Sequence, residues 1–116
     1  QGDGARGNDD GAGNAENIDV ITDFVGTDFL DLSLIGTAFN FDDGGDYDDY
    51  TTFLAAADAA LDGTTRYFFA VYDNDGNGID AGDDGWLAVS YNPLTEVADE
   101  VIQLTGFTAL AAGDII

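Results

Sequence analysis

The sequence predicts a mainly β domain, a compact β-sandwich with one short helix. Three observations carry this expectation. Short runs rich in aromatic and β-branched residues, chiefly Ile18–Phe24, Arg66–Tyr72, Trp86–Tyr91 and Glu100–Leu104, are separated by clusters of Gly, Asp and Asn. A single stretch, YTTFLAAADAALD over residues 50–62, shows helical spacing. At 116 residues and 45% hydrophobic content, the chain can build one domain with a modest core.

Taken in order, residues 1–17 (QGDGARGNDDGAGNAEN) form an arm with nothing to bury. It is expected to be disordered in isolation, and to be ordered by bound calcium or by a neighbouring molecule. Residues 18–116 make the β domain proper. Ile18–Phe24 alternates apolar and polar residues as a strand does. Phe29–Ile35 predicts a second strand with Leu30, Leu32 and Leu34 on one face. Phe39–Phe41 is a short apolar piece ahead of an acidic loop, Asp42–Asp49.

The helix at 50–62 can be capped by Asp49 or Thr51 and ended by Gly63, with Phe53, Leu54, Ala57 and Leu61 on one side. Strands Arg66–Tyr72 and Trp86–Tyr91 follow, then an Asn92-Pro93 turn, strand Glu100–Leu104 and a terminal segment Thr108–Ile116. The large aromatics read as core.

Charge excludes several classes of function. Twenty-four acidic residues stand against two arginines, a net charge of −22, with no lysine or histidine. Such a chain cannot neutralise phosphates, so nucleic-acid binding is not expected, and anionic membranes repel it. Its carboxylates need counterions if the fold is to close. Calcium and the ions of a saline medium are the two sources, and the Gly-rich setting of the aspartates favours calcium.

With no His and no Cys, the usual general bases, thiol nucleophiles and zinc ligands are missing, so no enzyme activity and no small-molecule substrate are expected. No apolar run is long enough to span a bilayer. A chain without methionine that starts at Gln1 reads as a processed product or an excerpt.

The stretch Asp73–Asp84, D-N-D-G-N-G-I-D-A-G-D-D, carries the most chemistry. Asp73, Asp75 and Asn77 offer oxygens at the first, third and fifth positions, and Gly78 follows at the sixth. Hard cations need that order of oxygen ligands and then a sharp turn. The Ile79 carbonyl and Asp84 are further candidate ligands, and Asp80 or Asp83 can replace them in a different loop geometry. The competing reading is a solvated Gly/Asp turn. Strands, not helices, flank the loop, so it is expected to act as a structural clasp and not as a sensor.

One segment resembles a known family. Asp19–Ser33, D-V-I-T-D-F-V-G-T-D-F-L-D-L-S, is similar to the stretch that closes the calcium β-roll of RTX-type secreted proteins, including serralysin-like proteases. Asp19, Ile21, Asp23, Phe24, Gly26, Asp28, Asp31, Leu32 and Ser33 match its pattern. One residue is dropped between Phe24 and Gly26, and Leu30 replaces the usual isoleucine. The D-N-D-G-N-G-I-D loop, and E-V-I-Q-L-T-G-F-T-A-L with the final Gly-Asp-Ile-Ile, are similar to later parts of those C-terminal regions. No intact G-G-x-G-x-D-x-U-x nonapeptide is present, so the chain resembles the cap of a roll and not the roll itself.

The resemblance implies calcium-dependent folding outside the cell and export by a type I system. It also implies Ca²⁺ shared among Asp19, Asp23, Asp28 and Asp31. The expected function is a non-enzymatic, extracellular, calcium-binding structural domain, such as a filament or surface-layer subunit. It would fold with Ca²⁺ and pair as a homopolymer through its arm. The alternative is a C-terminal folding and type I secretion domain of a larger RTX exoprotein such as a protease or lipase.

Overall fold

The computed structural model describes residues 6–32, 34–73, 78, 82–91, 94 and 97–116. The described residues form the expected mainly β domain with a single α-helix. A two-stranded ribbon, β1 (Asn8–Asp9) with β2 (Ala15–Glu16), precedes a five-stranded sheet. The sheet contains β3 (Asp19–Ile21), β4 (Phe41–Tyr47), β5 (Tyr67–Tyr72), β6 (Asp84–Val89) and β7 (Glu100–Leu104), in the order β3-β7-β6-β5-β4. Its three central strands are antiparallel neighbours, whereas β3 and β4 each join an edge in parallel.

Period-2 alternation decides which side chain goes to which face. Tyr67, Phe69 and Val71 of β5 enter one apolar cluster with Leu87, Val89, Ile102 and Leu104. Phe68, Ala70 and Tyr72 enter the opposite cluster with Trp86, Ala88 and Val101. Every residue of β5 is therefore buried, as in strands covered on both faces.

Helix α1 (Tyr50–Ala60) covers the second face. Tyr50, Phe53, Ala57 and Leu61 point into it, and small Ala70, Ala88 and Ala98 leave room for their rings. Trp86 sits at the centre: it stacks on Tyr72 at 4.4 Å, meets Tyr50 edge-on at 5.0 Å and donates from its indole to Gln103 Oε1 at 3.0 Å. Each such ring contributes roughly 1.5–3 kcal/mol by burial. Asp49 caps the helix by accepting from Thr52 N at 2.7 Å, worth about 1 kcal/mol. The other face is closed by non-regular chain: Phe24, Leu30 and Leu32 from the connection after β3, and Leu110 and Ile115 from the C-terminal segment. One mixed sheet thus forms the middle layer.

Four local expectations are corrected. The Asp42–Asp49 "loop" is for the most part β4, paired in parallel with β5 and bulged between Asp43 and Asp46. A buried β5 needs a hydrogen-bonding partner on each side, and an edge strand can carry acidic side chains because they face water. Gly44 is required there: a Cβ would lie 2.1 Å from Cζ of Phe68.

Phe29–Ile35 is not a strand of the sheet. Leu30 bridges Ile115, with Leu30 N to Asp114 O at 2.7 Å and Ile116 N to Leu30 O at 2.8 Å. Leu34 turns outward, so only Leu30 and Leu32 follow the expected face. The terminal segment Thr108–Ile116 contains a 3-10 turn at Ala112–Asp114. Strand bounds also shift: Ile18–Phe24 shortens to Asp19–Ile21, and Trp86–Tyr91 starts earlier, at Asp84.

The described part of the arm, residues 6–17, docks on its own domain. Arg6 makes a forked ion pair with Asp58 of α1 at 2.9 and 3.2 Å and donates to Ala98 O at 3.0 Å. Gly13 O accepts from Tyr50 N at 2.9 Å, Asn14 Oδ1 from the Tyr72 hydroxyl at 2.6 Å, and Arg6 O from the Tyr50 hydroxyl. Local composition gave no hint of this, because the partners lie on α1, β5 and the segment before β7.

Candidate calcium loop and acidic clusters

The Asp73–Asp84 stretch joins β5 to β6, and Tyr72 and Asp84 pair across its neck. Asp75, Asn77, Ile79 and Asp80 lie outside the described residues. The remaining candidates, Asp73, Asp83 and Asp84, stand at the two ends of the stretch, beside its neck. Asp73 is only 5% exposed and Asp83 only 2%, an unusual burial for aspartates. Asp73 N donates to Tyr47 O at 2.9 Å, tying the neck to β4 as well.

Asp73 Oδ2 accepts the Gly78 N–H at 2.7 Å. This bond closes the chain between the first and sixth positions of the loop. Gly78 has φ +82°, the left-handed conformation that glycine adopts without strain. A carboxylate bonded to a glycine five residues on fits the calcium-loop reading and the solvated-turn reading alike. Asp84 lies at the start of β6 and accepts Gly106 N at 2.8 Å, which engages one of its oxygens toward the end of β7.

Of the second predicted set, Asp19 and Asp31 line one cavity, but no three of its members stand together. Asp19 is on β3, whereas Asp23, Asp28 and Asp31 are exposed on the connection that follows. Asp28 closes its own turn, with Val25 N to Oδ2 at 3.0 Å. Ser33 lies outside the described residues. Among the described residues, no three acidic side chains stand close enough to share one ion.

A third acidic group surrounds the arm. An open hollow of about 620 Å³ is lined by Asp9, Gly13, Asp48, Asp49 and Thr51. Two of its carboxylates already have donors: Asp49 accepts Thr52 N, and Asp9 accepts Gly11 N at 2.8 Å, Gly13 N at 3.0 Å and the Thr51 hydroxyl at 3.0 Å. The amides of Gly11 and Gly13 hold the Asp9 carboxyl below its usual range. Asp10 similarly accepts Ala12 N at 2.8 Å and Asn14 N at 3.2 Å. The Gly/Asp run folds on its own side-chain bonds.

One pair was missed in the sequence. Glu100 at the head of β7 is fully buried, its Oε1 accepting the Tyr91 hydroxyl. Asp19 lies within hydrogen-bonding reach of it, yet Glu100 Oε2 and Asp19 Oδ2 have no partner of their own. Burial, and then the adjacent Asp19, push the Glu100 carboxyl above the usual carboxylate range, although the Tyr91 bond pulls the other way. Burial likewise pushes the Tyr91 phenol up. The alternation E-V-I-Q-L held the signal: Glu100 shares its face with Ile102 and Leu104, an inward position where a free acid has no water.

Comparison with protein-family models, curated proteins and solved structures finds no match to this chain.

Proposed function

We propose that this chain is a non-enzymatic, extracellular structural domain that binds Ca²⁺ and is folded by it, with the Asp73–Asp84 loop as the principal site. The observation that carries the reading is the bond from buried Asp73 to Gly78, at the loop positions where a calcium ligand and its turn are needed. Two aspartates are desolvated at the neck of a chain with net charge −22. A divalent cation offsets the cost of that burial. Ca²⁺ that binds only the folded chain then drives folding by mass action, so the chain stays open in calcium-poor cytoplasm and closes outside the cell.

Circular dichroism in EGTA and then in millimolar Ca²⁺ tests this. A coil-to-β transition on adding calcium is expected; an unchanged spectrum removes the proposal.

A second reading is the folding and type I secretion domain of a larger RTX exoprotein. The docking of the arm on its own helix supports it, because an arm held by Arg6 and Asn14 is not free to pair with a neighbour. Sedimentation in calcium separates the two: a discrete monomer supports the secretion domain, and a growing polymer supports the filament or surface layer.

A further inference from the structure

The buried oxygens of Asp19 and Glu100 require a positive partner. They face each other at hydrogen-bonding reach without any donor, and Glu100 is fully buried. Two bare carboxylates about 4 Å apart repel by roughly 4 kcal/mol even at the effective dielectric of a protein. Neither arginine serves the pair. Arg6 is bound to Asp58, and Arg66 donates to Ser90 O and Tyr91 O at 2.8 and 2.6 Å.

Asp19 also lines a mostly apolar cavity of about 370 Å³, shared with Ile21, Phe29, Asp31, Leu32 and Ile102. That volume admits the waters that complete a calcium shell, and Asp31 faces the same space.

We propose that Asp19 Oδ2 and Glu100 Oε2 clasp a Ca²⁺ ion between them, with Asp19 opening it to the cavity, a site separate from the Asp73–Asp84 loop. Water supplies the remaining ligands, which puts the affinity in the range of roughly 10⁻⁴ to 10⁻³ M typical of extracellular modules. The ion fastens β3 to β7. That edge strand has three residues and only parallel pairing to β7, so its backbone bonds alone hold it weakly. The Tyr91 hydroxyl positions Glu100 by holding its other oxygen.

The competing occupant is a proton shared by the two carboxyls. Calcium titration calorimetry at neutral pH, in an Asp73→Asn background, distinguishes them. Asp73→Asn/Glu100→Gln is expected to bind one ion fewer per chain than Asp73→Asn alone. Equal stoichiometry overturns the proposal, because a glutamine amide replaces the shared proton without loss. The comparison stands whether or not the loop binds calcium, since failure of the loop appears separately as equal binding by the parent chain and Asp73→Asn.

Should Glu100→Gln fail to fold, Asp19→Asn is the second variant. Carboxyl ¹³C shifts of Glu100 and Asp19 in the unaltered chain need no variant at all. Saturable movement of both signals with calcium supports the site, and unmoved signals overturn it.

Discussion

Replacing Asp73 tests the calcium loop most directly, because two substitutions separate its two duties. Asp73 is 5% exposed, and its carboxylate accepts the Gly78 amide at 2.7 Å. A hydrogen bond to a charged acceptor contributes about 1.5–3 kcal/mol, and a neutral one about 1 kcal/mol. Asp73→Ala loses the bond in any medium and should destabilise the domain by about 1.5–3 kcal/mol, with or without calcium.

Asp73→Asn keeps a carbonyl for Gly78 but removes the charge. In EGTA it should stay within about 1 kcal/mol of the parent, since the lost bond strength is offset by easier burial of a neutral group. In calcium the two proteins should separate. For a site with a dissociation constant near 0.1 mM, calcium at about a hundredfold excess stabilises the parent by about 2.7 kcal/mol, and most of that should vanish in Asp73→Asn. Urea unfolding followed by Trp86 fluorescence measures all four values, in EGTA and in calcium, each with enough sucrose to hold the calcium-free chain folded. If the gap between parent and Asp73→Asn is the same in both media, Asp73 is not a calcium ligand and the loop is only a turn.

Three further outcomes follow from packing and charge. Gly85→Ala places a Cβ 2.5 Å from the Phe107 carbonyl oxygen and 2.6 Å from the Phe69 ring, so the urea midpoint should fall by the equivalent of about 1–3 kcal/mol. Arg6→Gln breaks the clamp to Asp58 and Ala98. The pair is 39% and 30% exposed, so the stability loss should be about 1 kcal/mol or less, while hydrogen exchange at Gly13 and Asn14 accelerates and β5 stays protected.

Acid should release the arm. The Asp9 carboxyl is held below its ordinary value by the Gly11 and Gly13 amides. Its contribution is therefore present above the unfolded value, and is lost as pH falls through the lower folded value. Amide shifts of Gly11 and Gly13 should titrate together below the usual aspartate range, and titration within that range would contradict the bonds described.

Much of this molecule was legible in its residues. The alternation of Tyr67–Tyr72, Trp86–Val89 and Glu100–Leu104 decides which side chains meet above and below the sheet. Tyr50, Phe53, Ala57 and Leu61 decide the buried face of α1, and Asp49 decides where it begins. Asp73 and Gly78 stand in the order that closes a loop on its own carboxylate. These are local properties: each follows from side-chain spacing within one segment.

What the sequence left open depends on partners far along the chain. Acidic, glycine-containing Phe41–Tyr47 pairs as an edge strand because buried β5 needs backbone bonds on that side, a demand that side-chain pattern does not record. The arm finds order through Arg6, Asn14 and Gly13 meeting residues that only the fold brings near. Glu100 reads as one acid at a strand head; the pairing of β3 with β7 brings Asp19 near it and leaves one buried oxygen of each without a donor. Local periodicity fixes faces, whereas edge pairing and charge juxtaposition are settled only when distant segments pack.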